Sequence, residues 1–442
     1  MQYHLFKNDK NKEKYSFIDP NFSSNKIKPI HRWVPWIAGF SSEFVRSTID
    51  QYLPEKGVIL DPFSGVGTTL VEASFAGHDV IGFEINPYAA LACRVKLLSG
   101  KADIKILKET QKQLNDFYQI SWQSNELPKS LPPEKFKTRI PFYSPIVLKK
   151  VLIIQDFINS LSDPQLLDIL RLAFAATMVS YSNYSYEPSL GTRRAAGKND
   201  IEDFNVIERF SLKIQEMIED IAKLSINNNK TKYKVINDSF FQYAEYIEYE
   251  SIDLCITSPP YLNNYHYIRN TRPQLYWLGF LTNPRDADFM EQENFGKYWQ
   301  TVREMKPIKL DIPNAPERLV MQLEELRNIK NDRGIYGGQG WANYATAYFN
   351  DCYRFAQGLE YSLKKNAQAF VVIGNSILQG LMVPTDQYLG EIAECAGLKV
   401  IDIHIPRATR VGNSIIQSNV RVEKAQDKHQ LYESVVHLIK KK

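Results

Sequence analysis

VILDPFSGVGTTLVEASFAGHDVIGFEINPYAALACRVKLL, residues 58–98, decides the fold class. Val58-Ile59-Leu60 is a short apolar run that ends at Asp61. A turn carrying Gly65 and Gly67 follows, then a helix-like stretch from Thr68 to Ala76 that Gly77 stops. A second strand, Asp79–Phe83, ends at Glu84, and Pro87 opens another helix through Leu98. Buried strand, turn, helix, buried strand, helix is the doubly wound α/β pattern.

Working outward, the same rhythm returns after a long interruption. Tyr233–Ile236 reads as a strand ending in Asn237-Asp238, and Ile252–Ile256 as a strand running into Thr257-Ser258. A helix over Tyr344–Leu363, a strand over Ala369–Ile373, a helix over Gln387–Ala396 and strands over Lys399–Ile405 and Ser434–Ile439 complete the α/β part. Between these lie two interruptions. Residues 100–230 are mainly helical, with helices expected over Leu148–Leu161 and Gln165–Val179 and a loop over 181–200. Residues 262–343 are polar. The division expected is an N-terminal arm at 1–30, a catalytic domain from 31–99 and 231–442, and inserts at 100–230 and 262–343. Upstream of β-like residue 58, Ser42 is placed to cap a helix bearing Phe44, Val45, Ile49 and Tyr52 on one face.

Bulk composition narrows the class. The 442 residues are 44% hydrophobic, enough for a sizeable core. Lys and Arg number 54 against 50 Asp and Glu, so the net charge of +4 suits a nucleic-acid partner without demanding one. The polar N-terminus has no secretory h-region and no long apolar run follows, so a cytoplasmic protein with no membrane span is expected. Cys93, Cys255, Cys352 and Cys395 form no Cys-x-x-Cys pair, so reduced core thiols and no metal site are expected.

The glycine turn has rivals. A P-loop needs Gly-Lys-Ser/Thr, and Gly67 is followed by Thr68-Thr69. A dinucleotide fold wants a third glycine where Leu70 stands. Acidic residues at three strand ends favour a different nucleoside. Asp61 offers a carboxylate to a cation or hydroxyl, Glu84 stands where ribose hydroxyls are accepted, and Asp238 is placed for an adenine amino group. Thr257-Ser258-Pro259-Pro260-Tyr261 is stiffened by two prolines. The Ser258 hydroxyl and Pro259 carbonyl can accept both N–H bonds of one –NH2, and Tyr261 offers a flat face for stacking.

DPFSGVGTT, GFEINP and TSPPY resemble motifs I, II and IV of the amino-methylating DNA methyltransferases, the N4-cytosine and N6-adenine enzymes, and HRWVPWIAGFSSEFV resembles their motif X. The resemblance implies a Rossmann-like methyltransferase fold with a mostly parallel seven-stranded sheet, S-adenosylmethionine as cofactor and double-stranded DNA as substrate. Phe40, Ser41, Asp61, Pro62, Phe63, Gly65, Gly67, Thr68, Thr69, Glu84, Ile85, Asn86, Asp238, Ser239 and Thr257 are then cofactor-binding, and Ser258, Pro259, Pro260 and Tyr261 catalytic. Serine at the first position of S-P-P-Y is typical of N4-cytosine enzymes. N6-adenine methylation is the alternative, with an RNA base methyltransferase or an inactive DNA-binding protein behind it. No Pro-Cys occurs, which disfavours C5 chemistry. A cognate restriction endonuclease is an expected functional partner. For DNA contact, Tyr184, Arg193, Arg194 and Lys198 of the loop 181–200 combine rings and cations, and Tyr265, His266, Tyr267, Arg269 and Arg272 after motif IV are candidates to line the flipped-base pocket or grip the phosphates beside it. Arg407, Arg410, Asn413 and Ser414 form a further candidate turn.

Overall fold

A computed structural model describes residues 20, 22–36, 39–124, 126–186, 189–224, 231–262, 267–408 and 431–441. Its centre is a seven-stranded sheet. In chain order the strands are β1 (Val58–Asp61), β2 (Asp79–Phe83), the hairpin β3 (Tyr184–Tyr186) and β4 (Leu190–Thr192), β5 (Tyr233–Ile236), β6 (Ile252–Thr257), β7 (Leu363–Gly374), the hairpin β8 (Ser376–Leu378) and β9 (Leu381–Val383), β10 (Leu398–Ala408) and β11 (Tyr432–Lys440). The large sheet runs β10-β11-β7-β6-β1-β2-β5. All neighbours pair parallel except β11, which is antiparallel to both β7 and β10. From β1 the chain goes first to one side, then crosses to β6 on the other. The crevice at that reversal is where open α/β sheets bind ligands.

Register brings the site residues level. Asp61 lies opposite Gly82, and Phe83 opposite Ile236. Asp61, Glu84, Asp238 and Ser258 therefore stand at one carboxyl edge. Alternation along β1 sends Ile59 and Leu60 to opposite faces. Ile59 joins Val80, Leu254, Phe370 and the helix Ser42–Tyr52. Leu60 joins Phe83, Cys255, Val371 and the long helix Gly338–Ser362. A third core binds the helices Ile104–Gln123, Pro145–Ser160, Pro164–Thr177 and Val206–Leu224 to the helix Pro87–Leu98. Three of these helices carry proline in the first turn behind a capping Asn86, Ser144 or Asp163.

Several expectations change. Ser41, not Ser42, caps the first helix, accepting from the Phe44 N–H at 3.1 Å. The stretch 181–200 is not a plain loop, because Tyr184–Thr192 closes as the β3–β4 hairpin. The helix expected from Tyr344 begins at Gly338, because glycines at 337, 338 and 340 fit against the carbonyls of Lys330, Leu326 and Ile335 where any Cβ would collide. Residues 22–30, read as part of a polar arm, are tied in. The Asn25 amide is buried, donating to the Phe40 carbonyl at 3.1 Å and accepting from the Ser42 N–H at 3.0 Å. Cys93, Cys255 and Cys352 are buried free thiols and Cys395 is half-buried. No helix among the described residues is long and apolar enough to cross a membrane.

Candidate active site

The glycine turn is built from two residues in the left-handed region, Gly65 at φ 51° and Gly67 at φ 86°. Each also permits a close approach. A Cβ at Gly65 would lie 3.1 Å from Trp36 Nε1, and one at Gly67 3.1 Å from Cys93 Sγ. Two side chains of the helix Pro87–Leu98 hold the turn from below. Cys93 Sγ donates to the Gly65 carbonyl at 3.2 Å, and the buried Lys96 ammonium donates to the Val66 carbonyl at 2.8 Å. Burial pushes Lys96 down to about 8. At the strand end, Asp61 accepts from Thr257 Oγ1 at 2.6 Å and from the Phe63 N–H at 3.1 Å. Burial outweighs these bonds and raises its carboxyl to about 6.

Glu84 and Asp238 flank this turn. Glu84 accepts the Gly65 and Asn86 N–H groups, one on each oxygen, both at 2.8 Å. Burial nevertheless raises it to about 8, with the nearby Asp61 charge adding to the shift. Asp238 accepts from its neighbour Ser239 N–H at 2.7 Å and from the Tyr246 hydroxyl at 2.8 Å. Each carboxylate oxygen has a second lone pair left for a ligand.

A cleft open to solvent lies above this edge. Phe40, Pro62, Phe63, Gly65, Thr68, Glu84, Ile85, Asn86, Asp238, Ser239, Ser258 and Pro260 line it. Ser41, Asp61, Gly67, Thr69 and Thr257 stand behind the wall: Ser41 caps a helix, and Thr69 donates to the Ile256 carbonyl at 3.2 Å. Trp36, Tyr267 and Phe295 also line the cavity; Tyr267 belongs to the stretch after motif IV read as a candidate pocket lining, whereas Trp36 and Phe295 were not anticipated. Trp36 lies in the aromatic stretch HRWVPW, which was the available signal. Its stack on Tyr267, centroids 6.0 Å apart, joins distant segments and left none.

The loop after β6 is pinned by aromatic hydroxyls. Tyr348 donates to the Pro260 carbonyl at 2.9 Å, and Tyr344 donates to the Leu262 carbonyl. The Pro259 carbonyl just before them has no donor among the described residues. Ser258 sits on the cavity wall, while Tyr261 lies beside it with its hydroxyl on Glu433 at 3.1 Å. A solvent-open cleft, acidic groups at two strand ends and a proline-stiffened acceptor loop thus share one crevice.

A family model described as DNA methylase, for N6 and N4 enzymes, matches residues 4–93. The Type II methyltransferase M.BsoBI of Geobacillus stearothermophilus is 26% identical over 89% of this chain and 83% of its own. The Type II methyltransferase M.AvaI of Nostoc sp. is 26% identical over 89% and 84%. Over most of its length the chain is thus similar to amino-methylating DNA methyltransferases of the N6/N4 kind. Its cofactor is S-adenosylmethionine, and the lining suits it: Gly65 keeps a Cβ out of the tight space beside Trp36, and Glu84 and Asp238 bring carboxyl groups to the wall.

This methyltransferase places the residues read as DNA contacts unevenly. Tyr184 is not at the surface. Its ring stacks on Phe142 in the helical core, and its hydroxyl accepts the Arg139 N–H at 3.0 Å. Tyr181 is likewise buried, and the Tyr186 hydroxyl donates to the Asn270 carbonyl at 2.9 Å. The hairpin turned these rings inward because the helices beneath supply partners for their hydroxyls. Arg193 is half-buried and donates from Nε to the Asn199 carbonyl at 2.7 Å. Arg272 lies over the Phe136 and Tyr276 rings. Arg194, paired with Asp200 at 2.6 Å, is exposed, as are Lys198 and Arg269. Tyr265, His266, Arg410, Asn413, Ser414 and the Arg407 side chain lie outside the described residues.

Proposed function

We propose that this chain transfers a methyl group from S-adenosylmethionine to the N4 amine of cytosine in duplex DNA, as the modification member of a restriction–modification pair. The observation that carries the reading is Ser258-Pro259-Pro260-Tyr261, with Ser258 on the cavity wall and the carbonyls of Pro260 and Leu262 already occupied. That leaves the Ser258 hydroxyl and Pro259 carbonyl as a pair of acceptors for one amino group. Serine, rather than Asp or Asn, at the first position favours cytosine. The type II relatives, as named, favour DNA and a cognate nuclease.

The chemistry needs placement more than a strong base. An exocyclic amine is a poor nucleophile because its lone pair is delocalised into the ring. Two acceptors fix both N–H bonds and turn that lone pair toward the methyl donor. S-adenosylmethionine supplies the methyl already activated on a sulfonium. Glu84 and Asp238 orient the nucleoside end, and the glycine turn admits the rest. The base must leave the helix, at a cost of a few kcal/mol. Stacking on Tyr261 returns about 1–3 kcal/mol.

Sequencing with modified-base detection, on DNA from cells expressing the protein, tests this. Expected is 4-methylcytosine at one recognition sequence, absent with Tyr261→Ala. Finding 6-methyladenine instead would move the assignment to adenine. Methyl groups on RNA alone would overturn it.

A further inference from the structure

The Tyr261 ring is held from outside the cofactor cavity. Its hydroxyl donates to Glu433 Oε1 at 3.1 Å. Glu433, on β11, lies directly opposite Gly374 on β7. The ring rests on that same Gly374: a Cβ there would fall 3.1 Å from Tyr261 Cε2 and 3.3 Å from Cδ2. One cross-strand pair therefore supports both the ring and its hydroxyl. Neighbouring bonds fix the pair in turn. The Tyr432 N–H donates to Asn375 Oδ1 at 2.8 Å, the Tyr432 hydroxyl to the buried Asp386 at 3.2 Å, and Ser434 to the Ile373 carbonyl at 2.9 Å.

We infer that Glu433 is a positioning residue for methyl transfer: its carboxylate latches the Tyr261 hydroxyl and sets the angle at which the ring meets the target base. A tyrosine packed on one side only can still swing about its side-chain torsions. A polar anchor at the far end of the ring removes that freedom, and pre-organisation of this kind acts on the reaction rate rather than on cofactor affinity. Glu433 comes from the last strand of the sheet, so the target loop after β6 is completed by a residue far along the chain. The inference rests on Tyr261 acting as the base-stacking residue.

Two readouts test it. The first is single-turnover transfer of labelled methyl to bulk unmodified DNA, with cofactor affinity measured by calorimetry. Glu433→Ala and Tyr261→Phe should each slow transfer by roughly tenfold, with cofactor affinity changed less than about twofold. The double variant should be no slower than either single one, because both remove the same bond. Glu433→Gln keeps an acceptor oxygen at the same reach and should recover most of the rate. Wild-type rate in Glu433→Ala, or effects that multiply in the double variant, overturn the inference. The second readout is the fluorine spectrum of 3-fluorotyrosine placed at 261 alone. It should be one sharp line in the wild type and broadened or doubled in Glu433→Ala; identical spectra overturn the latch. Should the wild type methylate no DNA while the spectra still differ, the DNA reading and the role in transfer fall, and only the contact stands.

Discussion

Glu84 shows what one residue does at this site. Its two oxygens already accept the Gly65 and Asn86 N–H groups, yet burial holds its acid form up to about 8. The folded, unliganded protein therefore keeps a proton that an unfolded chain loses near the ordinary carboxylate value. The stability this gives is fully present at acid pH and is lost as pH rises through about 8. In the role proposed for Glu84 the ribose hydroxyls donate to it, so cofactor binding favours the ionised carboxylate. At pH 7, binding should expel roughly one proton, seen as a dependence of the binding heat on the ionisation enthalpy of the buffer. Affinity should rise toward pH 8. Glu84→Gln should bind weakly and lose the proton release. A binding heat independent of buffer in the wild type would refute this. Glu84, Asp61 and Asp238 were legible in the sequence because each stands at the end of its own strand-like run. Trp36 and Tyr267 stack on each other at the cavity wall from distant segments, and nothing local to either announces the pairing.

Among elements, the strands were the most legible, since runs such as Val58–Leu60 and Ile252–Ile256 have only a buried sheet to go to. The β3–β4 hairpin was not, because Tyr181, Tyr184 and Tyr186 read as polar loop residues until the helices beneath them supply partners. The helix Val206–Leu224 hides a second lesson. Its buried Asp220 accepts from the Ile30 N–H at 2.9 Å, from Arg32 Nε at 3.1 Å and Nη2 at 2.6 Å, and from Trp33 Nε1 at 3.0 Å. One carboxylate thus locks this helix to the segment that leads into Trp36 and Phe40 on the cavity wall. Asp220→Ala strands a buried backbone N–H and a buried indole N–H, and leaves the partly exposed Arg32 guanidinium without its carboxylate. The expected loss is about 3–5 kcal/mol in urea unfolding, together with weaker cofactor binding. Asp220→Asn keeps one acceptor and should lose less. Unchanged stability in the alanine variant would mean that the clamp contributes nothing.

For the whole molecule, the question is whether residues 100–230 form a separable module. The doubly wound part was readable because its pattern repeats, and the helical stretch was readable as an interruption of it. What the sequence could not convey is which surfaces the interruption covers. Ile30, Trp33, Val34, Tyr88, Leu91 and Val95 share one continuous core with Leu107, Leu114, Val151, Ile154, Phe174, Phe210 and Ile221. The helix Pro87–Leu98, whose Cys93 and Lys96 hold the glycine turn, is therefore roofed by the helices of the interruption. Removing them would expose that apolar face and free Asp220's partners as well. A chain with residues 102–230 replaced by a short flexible linker should consequently be poorly soluble and should not bind S-adenosylmethionine, although the glycine turn, Glu84 and Asp238 all remain. In the intact chain, saturating cofactor should raise a single unfolding transition rather than one of two, by about 2.7 kcal/mol at a hundredfold excess over Kd. Calorimetric scans with and without cofactor distinguish the cases. Two transitions of which only one responds, or a shortened chain that binds cofactor normally, would show that the helical part is a detachable reader and not part of the wall on which the cofactor site is built.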